Sequence, residues 1–198
     1  GVIQDSASSA SLCAVLAARD RSGGAAELPR LRVYTSAQAH SSIEKDILVA
    51  GFAREQLRVV PTDAEFAMDA DALAAMVAAD VAEGLAPCLI AATVGTTSSG
   101  AVDPVARVCD VAGPVGAWVH VDAAWAGSAT VCPEYRYLLD GLDRVDSYCF
   151  NPHKWLLTNF DCSAFFVADS GPLLDSLSIV PEYLRNAASD AGEVIDYR

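Results

Sequence analysis

The sequence predicts an α/β domain, with a largely parallel or mixed central sheet covered by helices on both faces. Three observations carry this reading. Strand-like apolar runs alternate with single helical segments, and several of those runs are apolar throughout, as strands buried on both faces are. The 198 residues are 53% hydrophobic and 20% charged, a composition that supports one domain with a real core.

The elements follow in order. Ala7–Arg19 reads as a helix entered from a Ser-rich turn, Leu31–Thr35 as a short strand, Ser41–Ala50 as a helix, and Leu57–Val60 as a strand stopped by Pro61. Asp69 or Asp71 can cap an alanine-rich helix that runs to Glu83, Gly84 ends it, and Pro87–Val94 is a continuous apolar strand. Pro104–Ala112 is a further helix. Ala117–Val121, Val145–Phe150 and Ser163–Ala168 are three more strands, and a short helix near Pro172–Leu177 precedes an irregular polar tail after Ser178. No repeat, low-complexity tract or linker divides the chain. It opens Gly1-Val2-Ile3-Gln4 with no initiator Met, so we expect a piece of a longer protein.

Charge and cysteine usage exclude several function classes. The net charge of −13, with no cluster among the eleven arginines, argues against a nucleic-acid partner. No apolar run reaches the roughly 18–20 residues of a membrane helix, so no membrane partner is expected. Six cysteines (Cys13, Cys88, Cys109, Cys132, Cys149 and Cys162) stand singly in apolar segments, which reads as reduced thiols in a cytoplasmic protein. No metal site is expected, because His40, His120 and His153 are never spaced i, i+4.

In open α/β sheets ligands bind beyond the strand ends, so the residues there matter most. The expected strands deliver Ala39-His40-Ser41-Ser42, Gly95-Thr96-Thr97, His120-Val121-Asp122-Ala123-Ala124 and Asn151-Pro152-His153-Lys154. Ser6-Ala7-Ser8-Ser9 opens the first helix, where free backbone N–H groups favour an anion such as phosphate. Taken singly, each has an ordinary structural reading: a helix cap, a polar loop residue, a snorkelling lysine. Together they supply an amine, a strand-end carboxylate, a flat histidine and a phosphate cradle, the parts that pyridoxal phosphate needs. Lys154, with apolar residues on either side, is expected to be desolvated, which would favour its neutral, nucleophilic form.

The segments GVIQDSASSA, QAHSSIEKD, ATVGTTSSGAVD, HVDAAWAGSA and FNPHKWLLTNFDCSAFF occur in family order and resemble the group II pyridoxal-phosphate-dependent amino acid decarboxylases. The aromatic-L-amino-acid branch, which includes DOPA, tyrosine and tryptophan decarboxylases, is the most similar. The resemblance implies the fold-type I large domain, with residues 1–198 as its central part. Most of an N-terminal segment and the C-terminal small domain would lie outside this sequence, and the full-length protein would be a homodimer acting on an amino acid.

Carried over by position, the resemblance makes Lys154 the Schiff-base lysine and Asp122 the partner of the pyridine nitrogen. His40 would stack on the ring, with Ala124 on its other side. Ser6, Ala7 and Ser8 would bind the phosphate with help from Asn151, while Thr97 would lie beside the cofactor and His153 near cofactor and substrate. Tyr183, 29 positions after Lys154 (183 − 154), matches a mobile-loop tyrosine that returns a proton after CO2 leaves, which favours decarboxylation over aldehyde formation. Two departures from the family pattern stand out: Asp5 adds a negative charge before the phosphate turn, where it is expected to point away, and Trp125 replaces a common tyrosine. The alternatives are a histidine, glutamate or cysteine-sulfinate decarboxylase, a metal-dependent hydrolase using His120, Asp122 and His153, and a non-catalytic domain that keeps the fold for assembly.

Overall fold

The computed structural model describes residues 1–179. Seven strands form one sheet: β1 Val2–Gln4, β2 Leu31–Ser36, β3 Leu57–Val60, β4 Ala86–Thr93, β5 Trp118–Asp122, β6 Ser147–Phe150 and β7 Ser163–Val167. Their order across it is β1-β7-β6-β5-β4-β2-β3. The run from β6 to β3 is parallel, β7 is antiparallel to β6, and β1 is antiparallel to β7. Two reversals restore direction. β1 therefore points the same way as the parallel strands, and the chain leaves it at the edge where β2, β4, β5 and β6 also end.

Helices cover both faces. α1 Ala7–Arg21 is followed by the single turn α2 Gly24–Glu27, then α3 Ser42–Val49, α4 Ala70–Ala82, α5 Val105–Ala112, the single turn α6 Pro152–Trp155 and α7 Gly171–Leu177. The period-2 alternation of strand side chains divides the core between them. On one face Leu31, Val33, Leu89, Ala91 and Trp118 pack with Val15 and Ala18 of α1 and Ile43 and Ile47 of α3. On the other Tyr34, Ile90, Ala92, Val119 and Val121 pack with Leu73 and Val77 of α4 and Val108 of α5. Each large aliphatic side chain so buried contributes about 1.5–3 kcal/mol.

Most expected elements form with ends displaced by one or two residues. Asp69 rather than Asp71 caps α4, accepting from the N–H groups of Asp71 at 2.9 Å and Ala72 at 3.0 Å. Gly84, at φ 78°, takes the left-handed conformation that ends the helix. β6 starts at Ser147 instead of Val145, because Asp146 turns aside and its carboxylate accepts the Val119 N–H at 2.8 Å. β1 and the 3-10 turns Ala126–Val131 and Pro133–Leu139 carry no periodic signal of their own. Among the described residues no helix is long and apolar enough to cross a membrane.

One buried polar cluster ties β2 and β3 to α4. The Tyr34 hydroxyl donates to Asp80 at 2.7 Å, and the Arg58 guanidinium grips both oxygens of the same carboxylate at 2.6–3.2 Å. Replacing Asp80 with Ala strands a buried hydroxyl and a cation at once. It should lower unfolding stability by about 2 kcal/mol or more, read from denaturant midpoints, while Asp80→Asn should lose less.

Candidate active site

Five chain exits meet at the carboxyl edge of the parallel strands. β1 leads straight into Ser6, which caps α1: its Oγ accepts the Ser9 N–H at 3.3 Å, and the Ser9 hydroxyl accepts the Ser6 N–H at 3.4 Å. This closed box leaves the N–H groups of Ala7 and Ser8 without an acceptor inside the helix. Asp5 is exposed and takes hydrogen bonds from the hydroxyls of Ser6, at 3.3 Å, and Ser9. The Ser9 bond is the main cause holding its carboxyl below the usual range. It does not line the cavity described below.

β5 ends in Asp122, which is 5% exposed. Its Oδ1 accepts the Ala124 N–H at 3.0 Å and faces the Cys149 thiol at 3.9 Å. Among the described residues no Lys or Arg pairs with this carboxylate and no hydrogen bond reaches Oδ2. A buried carboxylate left in that state is costly, and a cationic N–H donor is the partner that offsets the cost. Two residues earlier His120 is wholly buried. Trp118 Nε1–H donates to Ser147 Oγ at 2.7 Å, which leaves the Ser147 hydroxyl to donate to His120 Nδ1 at 2.9 Å, and His120 Nε2–H then faces Ser11 Oγ at 3.0 Å. Burial lowers its pKa to about 4, so it is a neutral brace between β5, β6 and α1.

β6 runs on to Asn151 and Lys154, and two main-chain bonds stitch this exit to that of β5. Ala123 N–H donates to Cys149 O at 2.9 Å and Asn151 N–H to Ala124 O at 3.2 Å. Asn151 is 3% exposed and its side-chain oxygen has no partner among the described residues. β2 exits toward His40, whose Nδ1 accepts the Ser42 N–H at 3.2 Å and lies 2.9 Å from Ser42 Oγ, fixing the ring plane. At the end of β4, Gly95 has φ 86°, and a Cβ there would meet Ala126 Cβ at 2.5 Å. Only glycine lets this turn pass the β5 exit so closely.

These exits enclose a cavity of about 170 Å³ lined by Ser6, Ala7, Ser8, His40, Thr97, Asp122, Ala124, Asn151 and Lys154. Of the expected site residues His153 is not on this wall. Its Nδ1 accepts the Cys162 N–H at 2.9 Å and its ring stacks on Phe160 at 4.1 Å, so it braces the lysine loop. Tyr183 lies outside the described residues. Ser42, Thr93, Gly95 and Trp125 also line the cavity. Ser42 and Thr93 are legible as the helix start after His40 and the last residue of β4, whereas Trp125 stands out in the sequence only as a departure from the family pattern.

Two further expectations need correction. Lys154 is exposed rather than desolvated, because it sits on the single turn α6 and the loop beyond it lies open, with Leu157 and Phe160 both exposed. His120, Asp122 and His153 do not converge: both His120 nitrogens are engaged with hydroxyls, and among the described residues no group of His, Cys, Asp and Glu is placed to hold a metal.

The donor set fits pyridoxal phosphate: N–H groups for a phosphate at α1, a buried carboxylate that no described residue pairs with a cation, an amine, and the flat His40 ring on the wall. Residues 1–197 match the family model of the pyridoxal-dependent decarboxylase conserved domain. Tryptophan decarboxylase 1 of Oryza sativa subsp. japonica is 50% identical over 206 residues, covering 100% of this chain and 40% of that protein. Phenylacetaldehyde synthase of Arabidopsis thaliana is 48% identical over 203 residues, covering 100% and 41%. The crystal structure of Oryza sativa TDC with PLP and tryptamine aligns at a TM-score of 0.93 and 50% identity over 98% of this chain and 41% of that one. Mouse CSAD aligns at 0.82 and 37% identity over 88% and 38%. The chain thus spans about two fifths of the length of the curated relatives it matches.

Proposed function

This chain belongs to the pyridoxal-dependent decarboxylase family, and on that premise we propose that the full-length protein removes CO2 from an aromatic L-amino acid to give the amine. The buried, cation-free Asp122 carboxylate sharing one cavity with the Lys154 amine is the observation that carries this reading. Residues Ala7 and Ser8 would hold the phosphate with their N–H groups, Lys154 would bind the cofactor covalently, Asp122 would keep a proton on the ring nitrogen, and His40 would flank the ring. When bound, pyridoxal phosphate supplies a sink for the electron pair left by the departing carboxylate.

The chain's own part is positioning and proton handling. Ser42 sets the His40 plane, and the Cys149–Ala123 and Asn151–Ala124 bonds keep Asp122 and Lys154 on one wall, the kind of fixed geometry that decides which substrate bond is aligned to break. Water must be excluded for Asp122 to act strongly. Trp125 stacks on Trp155 at 5.7 Å beside the cavity, and both, with Leu157 and Phe160, expose aromatic and aliphatic surface. We take this surface as the place where a second subunit of a homodimer closes the cavity and shields Lys154.

The test is made on the full-length protein. Its absorbance is recorded before and after borohydride, the reduced adduct is mapped, and CO2 release is assayed from DOPA, tyrosine, tryptophan, histidine and glutamate. A pyridoxyl group on Lys154 with release from the aromatic substrates supports the reading; colourless protein without that adduct overturns it. Relatives include phenylacetaldehyde synthases, so the product must be identified as well. Tyr183→Phe should divert most product from amine to aldehyde, with molecular oxygen as oxidant and water consumed, and ammonia and hydrogen peroxide released alongside CO2, measured by separating the two products. An unchanged amine yield would remove Tyr183 from its assigned role.

A further inference from the structure

Asp46 is a second acid close to the cavity, and none of the roles above uses it. It stands one helical turn after Ser42 on α3, so both side chains leave the helix on the same face. Asp46 is 6% exposed, its Oδ2 is buried without a hydrogen-bond partner, and among the described residues no cation pairs with it. The groups that bear on it are Asp122 from β5, Cys13 from α1 and Lys45 from its own helix, while the β2 and β4 side chains on this side, Leu31, Val33, Leu89 and Ala91 with the hydroxyls of Thr35 and Thr93, carry no charge. Burial first, then the charge of Asp122, pushes its carboxyl up to about 7, against a smaller opposing effect of Lys45.

Two carboxylates with no cation between them cannot both ionise cheaply in a dry site. Resting on the cofactor reading above, we propose that Asp46 is a positioning residue that couples proton release to cofactor binding. While Asp122 stands unpaired Asp46 holds its proton up to about pH 7. When a protonated ring nitrogen takes its place against Asp122, the Asp46 O–H bond breaks, the carboxylate keeps the electron pair, and the proton leaves to water. One positive charge arrives as one negative charge appears, so the charge of the site stays level.

The coupling is measured on full-length apo-enzyme by calorimetric titration with pyridoxal phosphate in two buffers of different ionisation enthalpy, comparing the natural protein with Asp46→Asn and Asp46→Ala. The natural protein should release more protons near pH 7 than either variant. Its cofactor affinity should also gain between pH 6 and pH 8 relative to theirs, by about tenfold for each unit that binding lowers the Asp46 pKa. A second arm needs no cofactor. A carboxyl raised in the folded state holds a proton that the unfolded chain has lost between about pH 4 and pH 7, so the natural apo-protein should lose stability against Asp46→Asn as pH rises through that window. Tight binding with equal proton release in all three proteins overturns the coupling alone. Failure of the natural protein to bind pyridoxal phosphate overturns the cofactor reading and this inference with it, while the apo arm still reports whether Asp46 is protonated.

Discussion

A full-length enzyme carrying Lys154→Ala should purify without the near-visible absorbance of bound cofactor and turn over at least about 10³-fold more slowly, a barrier increase of about 4 kcal/mol or more. Of the two lysines in these 198 residues, Lys45 is an exposed residue of α3 that does not line the cavity, so only Lys154 brings an amine from this segment to the site. The fold should survive the change. Lys154 is exposed on a single helical turn and forms no ion pair among the described residues, so its truncation removes little packing. Far-ultraviolet circular dichroism and the denaturant midpoint should therefore match those of the natural protein stripped of cofactor. Retained colour with near-normal turnover would mean that the amine at position 154 is not the one that binds.

The fold and much of the cavity were legible because the signals are local. An apolar run such as Leu89–Thr93 between a helix stopped by Gly84 and a polar turn can hardly be anything but a central strand, and the strand-end rule then points to Asp122, His40 and Asn151. What escaped depends on contacts between distant segments. β1 exists because Val2–Gln4 pairs with Ser163–Phe165, which three residues cannot announce. The resemblance puts His153 near cofactor and substrate, yet neighbours on a short helical turn point apart, and in this chain its ring turns toward Cys162 and Phe160. Within this chain Lys154 is not desolvated for a related reason: apolar neighbours in sequence shield a head group only if they fold over it, and Leu157 and Phe160 face outward.

Asp122→Asn should separate function from stability more cleanly than any other single change. The amide keeps an oxygen for the Ala124 N–H and nearly the same volume, so the exit of β5 retains its shape. It cannot hold a proton on the ring nitrogen by charge. Turnover should fall on the order of 10³-fold, the size of effect seen when a preorganised electrostatic contact is lost, and cofactor should dissociate more readily on dialysis. Apo-protein stability should move the opposite way. Among the described residues no cation pairs with the buried Asp122, and it opposes a second acid at Asp46, so a neutral residue relieves both the desolvation and the repulsion. Thermal unfolding of the apo-proteins should give Asp122→Asn the higher midpoint at pH 8, with the advantage shrinking toward pH 5, where Asp46 of the natural protein is neutral. A variant that lost turnover and apo stability together would instead mark Asp122 as a structural group whose ionised form is already satisfied within the chain.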